Sequence, residues 1–204
     1  GNGVLQSNVQ PGDVKYVDVN HDGAVNANDK VDLGNGLPKY TFGFNFTLGY
    51  KGFDLSANFT GAAGFQIAQS YRDPSGSQGN YSHRILGRWT GEGTTNEMPR
   101  VTYGDVGNWL FSDLYLQDGD YIRLQNLTLG YDFKKLISWK GLSKLRLYFQ
   151  VQNLFTLTKY DGMDPEIGSY NGTDGNSSDS WVSGVDMGYY PHPRTFIVGV
   201  NVAF

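Results

Sequence analysis

The chain has 204 residues, 39% hydrophobic, 15% aromatic and 18% charged, with 28 Gly, 14 Tyr, no Cys and a formal net charge of −4. Without cysteine there is no disulfide framework and no Cys-ligated zinc, the acidic balance argues against a nucleic-acid partner, which selects a basic stripe, and no apolar run reaches the ~18 residues of a membrane helix. A transmembrane barrel hides its apolar residues in alternation, so periodicity must separate a soluble β protein from a membrane one.

Residues 1–38 read as irregular, from Gly1-Asn2-Gly3 through Pro11-Gly12-Asp13 to Gly34-Asn35-Gly36-Leu37-Pro38. No signal peptide opens them, so the chain is expected to be a piece of a longer polypeptide. Asp18, Asn20, Asp22, the Ala24 carbonyl, Asn26 and Asp29 occupy positions 1, 3, 5, 7, 9 and 12 of an EF-hand loop, with Gly23 at position 6. Oxygen donors at that spacing suit Ca2+, although Asp at the last position reaches less far than the usual Glu. The same Asn, Asp and Gly residues also make ion-free Asx turns.

Strict alternation begins after Pro38. In a strand over 39–50, Tyr40, Phe42, Phe44, Phe46, Leu48 and Tyr50 share one face and Thr41, Gly43, Asn45, Thr47 and Gly49 the other. Aromatics at both ends of an apolar row match the two interfacial belts around a hydrocarbon band. Lys51-Gly52 is a tight turn into a strand over 53–64, with Phe53, Leu55, Ala57 and Phe59 continuing the apolar face. Residues 65–119 form a long Gly-, Ser- and Asn-rich connection, the length of an extracellular barrel loop rather than of a connection inside a compact soluble domain.

A third strand spans 120–133, with Leu127, Leu129, Tyr131 and Phe133 outward. Its first half reverses phase at Ile122 to Gln125, which reads as a bulge or as a segment above the membrane. A turn at 134–143 leads to a strand over 144–158, then comes a second long connection at 159–193, and the last strand, 194–204, places Phe196, Val198, Val200, Val202 and Phe204 on one face. Long and short connections alternate, which puts the long ones on one side of a membrane and the short ones on the other. The expected organisation is an extracellular segment over 1–38 and barrel strands over 39–204. Five strands cannot close a barrel, so other strands must supply the remainder.

Several blocks in this order resemble SusC-like TonB-dependent transporters of Bacteroidetes: Gly12-Asp13-Val14-Lys15-Tyr16, Tyr50-Lys51-Gly52-Phe53-Asp54-Leu55, Arg88-Trp89-Thr90, Met98-Pro99-Arg100, Asp120 to Tyr131, Gln152-Asn153-Leu154-Phe155-Thr156, and Tyr190 to Phe196. The resemblance implies an all-β fold: the C-terminal five strands of a large antiparallel transmembrane β-barrel of about 22 strands, the size that encloses a plugged lumen. It further implies a place in the bacterial outer membrane, energy from TonB, and a SusD-like lipoprotein lid. The cargo would be oligosaccharides, peptides or similar nutrients. The plug, the TonB-contacting part and the other strands would lie in the N-terminal remainder of the transporter. The alternative is a secreted soluble β-sandwich acting as a carbohydrate-binding module, in which the apolar faces would pack on a second sheet.

Trp89, Trp109 and Trp181, with Tyr170, Tyr189 and Tyr190, are the weak candidates for substrate contact; belt or loop-packing roles compete. Inward Asn45, Asn58, Arg123, Asn126, Arg146, Gln150, Gln152 and Asn201 make the opposite face polar. His21, His83 and His192 fall in separate loops, and Asp164-Pro165-Glu166 is expected to be a solvated acidic pair. None of these forms a nucleophile–base grouping, so no catalytic residue is assigned and an enzyme is not expected.

Overall fold

In the computed structural model the described residues are 6–69, 83–95, 97–101, 107–137, 139–167, 184–186 and 188–204. Among them the alternating segments become β1 (Tyr40–Tyr50), β2 (Phe53–Ala63), β5 (Tyr121–Asp132), β6 (Lys144–Thr158) and β8 (Thr195–Ala203) of one antiparallel sheet, in the order β1-β2-β5-β6-β8. Short strands β3 (Gln66–Gln69), β4 (Leu116–Asp118) and β7 (Val185–Asp186) build a second sheet in the order β4-β3-β7, with β7 parallel to β3. No helix among the described residues is long and apolar enough to cross a membrane, which leaves strand crossing open.

The chain folds as two compact units, residues 1–34 with 70–115, and 35–69 with 116–204. Most of the first long connection therefore groups with the N-terminal segment. Gly12 explains part of this: its φ is +89°, and the Trp89 ring lies where a Cβ would stand, 2.3 Å from its nearest atom. Arg100 N donates to Gly12 O at 2.8 Å, and Arg100 pairs with Asp13, to which Asn108 Nδ2 donates at 2.9 Å. Val14 N returns a bond to Asn108 Oδ1 at 2.8 Å, and Tyr16 OH reaches Gly107 O at 2.8 Å. Burial pushes the Asp13 carboxyl up, but bonds from Arg100, Asn108 and the Gln10 N–H outweigh it and hold the group below its ordinary range.

In the second unit, the β1–β2 register runs without slip from Tyr40↔Ala63 to Tyr50↔Phe53. Lys51 and Gly52 have φ of +47° and +99°, the two positive values that a two-residue type I′ hairpin turn needs. β2 pairs with β5 as Asn58↔Asn126 and then Phe59↔Leu124, passing over Gln125. β6 answers there with Asn153 at φ +52° and resumes as Leu124↔Phe155. The phase reversal in the third strand is thus a bulge, and it returns Ile122 and Leu124 to the face of Leu127 and Leu129.

One apolar face results. Phe44 meets Phe59 with ring centroids 6.3 Å apart, Phe53 meets Tyr131 at 4.4 Å, and Phe149 stacks on Phe196 at 6.2 Å. Gly61 is required in this face: an added Cβ would stand 2.4 Å from the Phe42 ring and 2.6 Å from the Tyr121 carbonyl. Large residues remain open on it, Phe44 at 59% exposure and Val198 at 71%. The enclosed core is small, formed by Ala62, Phe65, Ile67 and Tyr160 next to the three-stranded sheet. There Tyr160 OH donates to the buried Asp186 carboxylate, which also accepts from Gly188 N and Tyr189 N.

Candidate functional site

The polar face of the five-stranded sheet carries the arranged chemistry. Asn45, Asn58 and Asn126 fall in one row across β1, β2 and β5, and Gln150 Nε2 donates to Asn126 Oδ1 at 3.1 Å. Arg146 crosses Gly130 to form a bidentate pair with Asp54, with Nε at 2.8 Å from Oδ1. A Cβ at Gly130 would stand 2.5 Å from the guanidinium, so this crossing needs glycine.

Beyond the bulge the row ends in a buried ion network. The skipped Gln125 turns Arg123 onto the polar face, where it is 3% exposed and opposite Thr156. Arg123 Nε donates to Thr156 Oγ1 at 3.0 Å, Nη1 pairs with Glu166 Oε2 at 2.7 Å, and Nη2 pairs with Asp164. His192 Nδ1 lies 2.9 Å from both Arg123 Nη1 and Asp164 Oδ2, and His192 N donates to the same carboxylate oxygen at 3.1 Å. Burial raises the Asp164 carboxyl, yet bonds from the His192 backbone and ring, Glu166 N and Arg123 prevail and hold it below its ordinary range. Both ends of the second long connection are thereby fastened to the wall. A polar recess of about 180 Å³ opens beside the network, lined by Arg123, Gln125, Asn126, Gln152, Asn153, Glu166 and His192.

The acidic pair expected to be solvated is therefore half wrong: Asp164 is 5% exposed and bonded on both oxygens, while Glu166 is an open partner with its side chain 46% exposed. His192 joins these residues although the sequence leaves it in a loop by itself. The available signal was Arg123, a cation within an apolar strand, which must find counter-charge once buried. Arg123 is thus met by two carboxylates, the Thr156 hydroxyl and the His192 ring, and the Asp164 carboxylate also by the Glu166 and His192 backbone N–H groups.

In the loop over 18–29 the oxygen groups that its spacing assigns are engaged largely by the loop's own N–H groups. Asp18 accepts from Asp22 N at 3.2 Å and Gly23 N at 2.9 Å, and Asp29 accepts from Val19 N at 2.9 Å and Asn26 N at 2.7 Å. Asn26 caps the short 3₁₀ turn Ala27–Asp29 through Asn28 N, and Asn20 Nδ2 donates to Asp22 Oδ2 at 2.9 Å. Bonds from Asn26 N, then from Val19 N and Asn20 N, hold the Asp29 carboxyl low against desolvation. The set of carboxylate, amide and carbonyl oxygens suits a hard cation in kind, although Asp29 Oδ1 already accepts from both Val19 N and Asn20 N. The carboxylates do not yet converge: among the described residues no three His, Cys, Asp or Glu side chains stand together at metal-holding separation.

Of the candidate aromatics, Trp89 packs on Gly12 and its N donates to Met98 O at 2.9 Å, an anchoring role in the first unit. Trp109 has its backbone in a short 3₁₀ turn, Gly107–Trp109. The Trp109 side chain, Trp181 and Tyr170 lie outside the described residues.

No family model matches the chain. It is 34% identical over 206 residues to TonB-dependent receptor P3 of Formosa agariphila, which covers 100% of the chain and 20% of the relative. It is 27% identical over 205 residues to TonB-dependent receptor SusC of Bacteroides thetaiotaomicron, covering 98% of the chain and 18% of the relative. Among solved structures it is similar to the RagAB peptide transporter, with a TM-score of 0.64 at 23% identity, covering 84% of this chain and 18% of that one. The closed-closed state of the RagAB peptide importer gives a TM-score of 0.62 over 90% of this chain at 21% identity, likenesses that speak to fold alone. The chain spans about a fifth of the length of these relatives.

Proposed function

Because the chain belongs to the SusC-like TonB-dependent receptor family, we propose that it forms five neighbouring strands in the wall of an outer-membrane nutrient importer. The observation that carries this reading is the single apolar face from β1 to β8, open although it is built of Phe, Leu, Val and Tyr. A soluble sandwich would cover that face with a second sheet. Bilayer hydrocarbon is the cover that an alternating strand of about ten residues matches, and the polar face with its Asn row and ion pairs then lines the lumen.

In this reading β1 and β8 pair with strands of the same receptor, which also supplies the plug and the part that TonB engages. The long connections face outward, where a SusD-like lipoprotein covers them, and the cargo is an oligosaccharide, peptide or similar nutrient. Asp18, Asn20, Asp22, the Ala24 carbonyl, Asn26 and Asp29 would hold Ca2+, which when bound replaces loop water with fixed oxygen ligands and stiffens the outer segment. The test is fractionation of the complete receptor. It should appear in the outer-membrane fraction, require detergent and keep its barrel in detergent. Recovery of this segment as a stable, detergent-free soluble monomer would overturn the reading.

A further inference from the structure

The short-turn end of the sheet is charged against the rest of the chain. Residues 49–55, 130–146 and 201–204 hold six cations, Lys51, Lys134, Lys135, Lys140, Lys144 and Arg146, against Asp54 and Asp132. That is an excess of four positive charges in a chain whose total is −4. Arg146 is neutralised by Asp54, and Lys144, in alternation with it, belongs to the polar face.

Lys51, Lys134 and Lys140 stand instead at the turns, beside the aromatic end of the apolar face. The Lys51 ammonium is 5.2 Å from the centre of the Tyr50 ring, and Tyr50 is 70% exposed. Tyr131 packs on Phe53 and meets Phe133 edge-on at 4.9 Å. Lys134 Nζ donates to Trp139 O at 2.7 Å and to Ile137 O at 3.5 Å, and Trp139 is open at 61%. Aromatic rings of this kind settle at the headgroup level of a bilayer. The turn ammoniums then lie level with the phosphates.

We propose that this rim binds the phosphate headgroups of anionic phospholipids in the leaflet that the short turns reach; the proposal rests on the barrel reading above. Lys51 and Lys140 supply the charge, the Tyr50, Phe53, Tyr131 and Phe133 rings grip the upper acyl chains, and Lys134 shapes the turn that presents Lys140. Because the ammoniums are exposed, their attraction falls within about 10 Å and weakens with salt. Zwitterionic lipid offers the same apolar surface without net charge, so headgroup preference isolates the electrostatic part.

The experiment uses the complete receptor in vesicles of phosphatidylcholine containing phosphatidylglycerol, with retained lipids counted by native mass spectrometry after gentle extraction. The wild-type receptor should keep phosphatidylglycerol in excess over phosphatidylcholine at low ionic strength and lose that preference at high salt. In the K51Q/K140Q variant the preference should drop about fivefold or more, while K51R/K140R keeps it. An inserted receptor that retains the two lipids equally, or a preference unchanged in K51Q/K140Q, overturns the headgroup proposal alone. A receptor that never enters the vesicles overturns the barrel reading and this proposal together.

Discussion

Arg123 of β5 and Asp164 of the following long connection form an ion pair in which both side chains are almost fully removed from solvent, 3% and 6% exposed. Breaking one member of such a pair leaves the other charge buried and uncompensated, at a cost of about 3–5 kcal/mol. Arg123→Met should therefore destabilise the complete receptor strongly. Adding Asp164→Leu should recover part of the loss, because no unpaired charge then remains at that position. Thermal unfolding by heat-modified gel mobility, run as a double-mutant cycle, measures both; additive losses would refute the coupling.

The same pair sets a pH response with a definite sign. The folded-state carboxyl of Asp164 lies below its ordinary value of 3.8, so the unfolded form binds its proton first as pH falls. Its stabilisation is fully present well above pH 4 and is lost as pH drops through the lowered value. Hydrogen exchange at residues 160–167 and 188–194 should stay slow from neutral pH to about 5 and accelerate below about 4. Asp164→Asn should remove that acid step.

Two glycines that look alike in the sequence should behave differently. At Gly61 an added methyl would enter the Phe42 ring and the Tyr121 carbonyl, and the carbonyl cannot swing away. Gly61→Ala should lower stability by about 1–3 kcal/mol. At Gly43 the nearest atom to an added Cβ is the Phe59 carbonyl at 3.8 Å, an ordinary contact, so Gly43→Ala should be tolerated. Equal melting shifts in the two variants would contradict the packing described.

Adjacent positions on β1 test the two faces. Phe44 lies on the apolar face and Asn45 on the polar one, paired with Phe59 and Asn58. A cation at mid-membrane on the lipid side costs about 2–4 kcal/mol and on the lumen side little. Phe44→Lys should impair insertion and folding into vesicles, while Asn45→Lys should insert almost normally. Reversal of that order would place lipid on the other face.

For the loop over 18–29, a calcium titration of the complete receptor followed by calorimetry should give a site that Asp18→Ala with Asp29→Ala abolishes. Asp18 accepts two backbone N–H groups and Asp29 three, so the variant also loses loop order without ion. The discriminating readout is the wild-type protein: chelator should raise hydrogen exchange across 18–29, and readdition of calcium should restore it.

Much of the sheet was legible from residues alone, because strand alternation has a period of two and a one-residue slip would carry a whole apolar set to the wrong face. Tyr40 to Tyr50, the Lys51-Gly52 hairpin and the Phe196 to Phe204 row need no distant partner to be read. The phase reversal at Ile122 to Gln125 announced an irregularity, but two explanations competed. Pairing with both β2 and β6 decided for a bulge, since only that returns Leu124 to the apolar face and turns Arg123 away from it. The meeting of Arg123 with Asp164, Glu166 and His192, and of Asp54 with Arg146, lay beyond the sequence. No periodicity links residues separated by loops. Arg123 and Asp164 are joined by the electrostatic demand of a buried charge, which exists only once tertiary packing has excluded water, and the partly exposed Asp54–Arg146 pair by the strand register that sets both on one face.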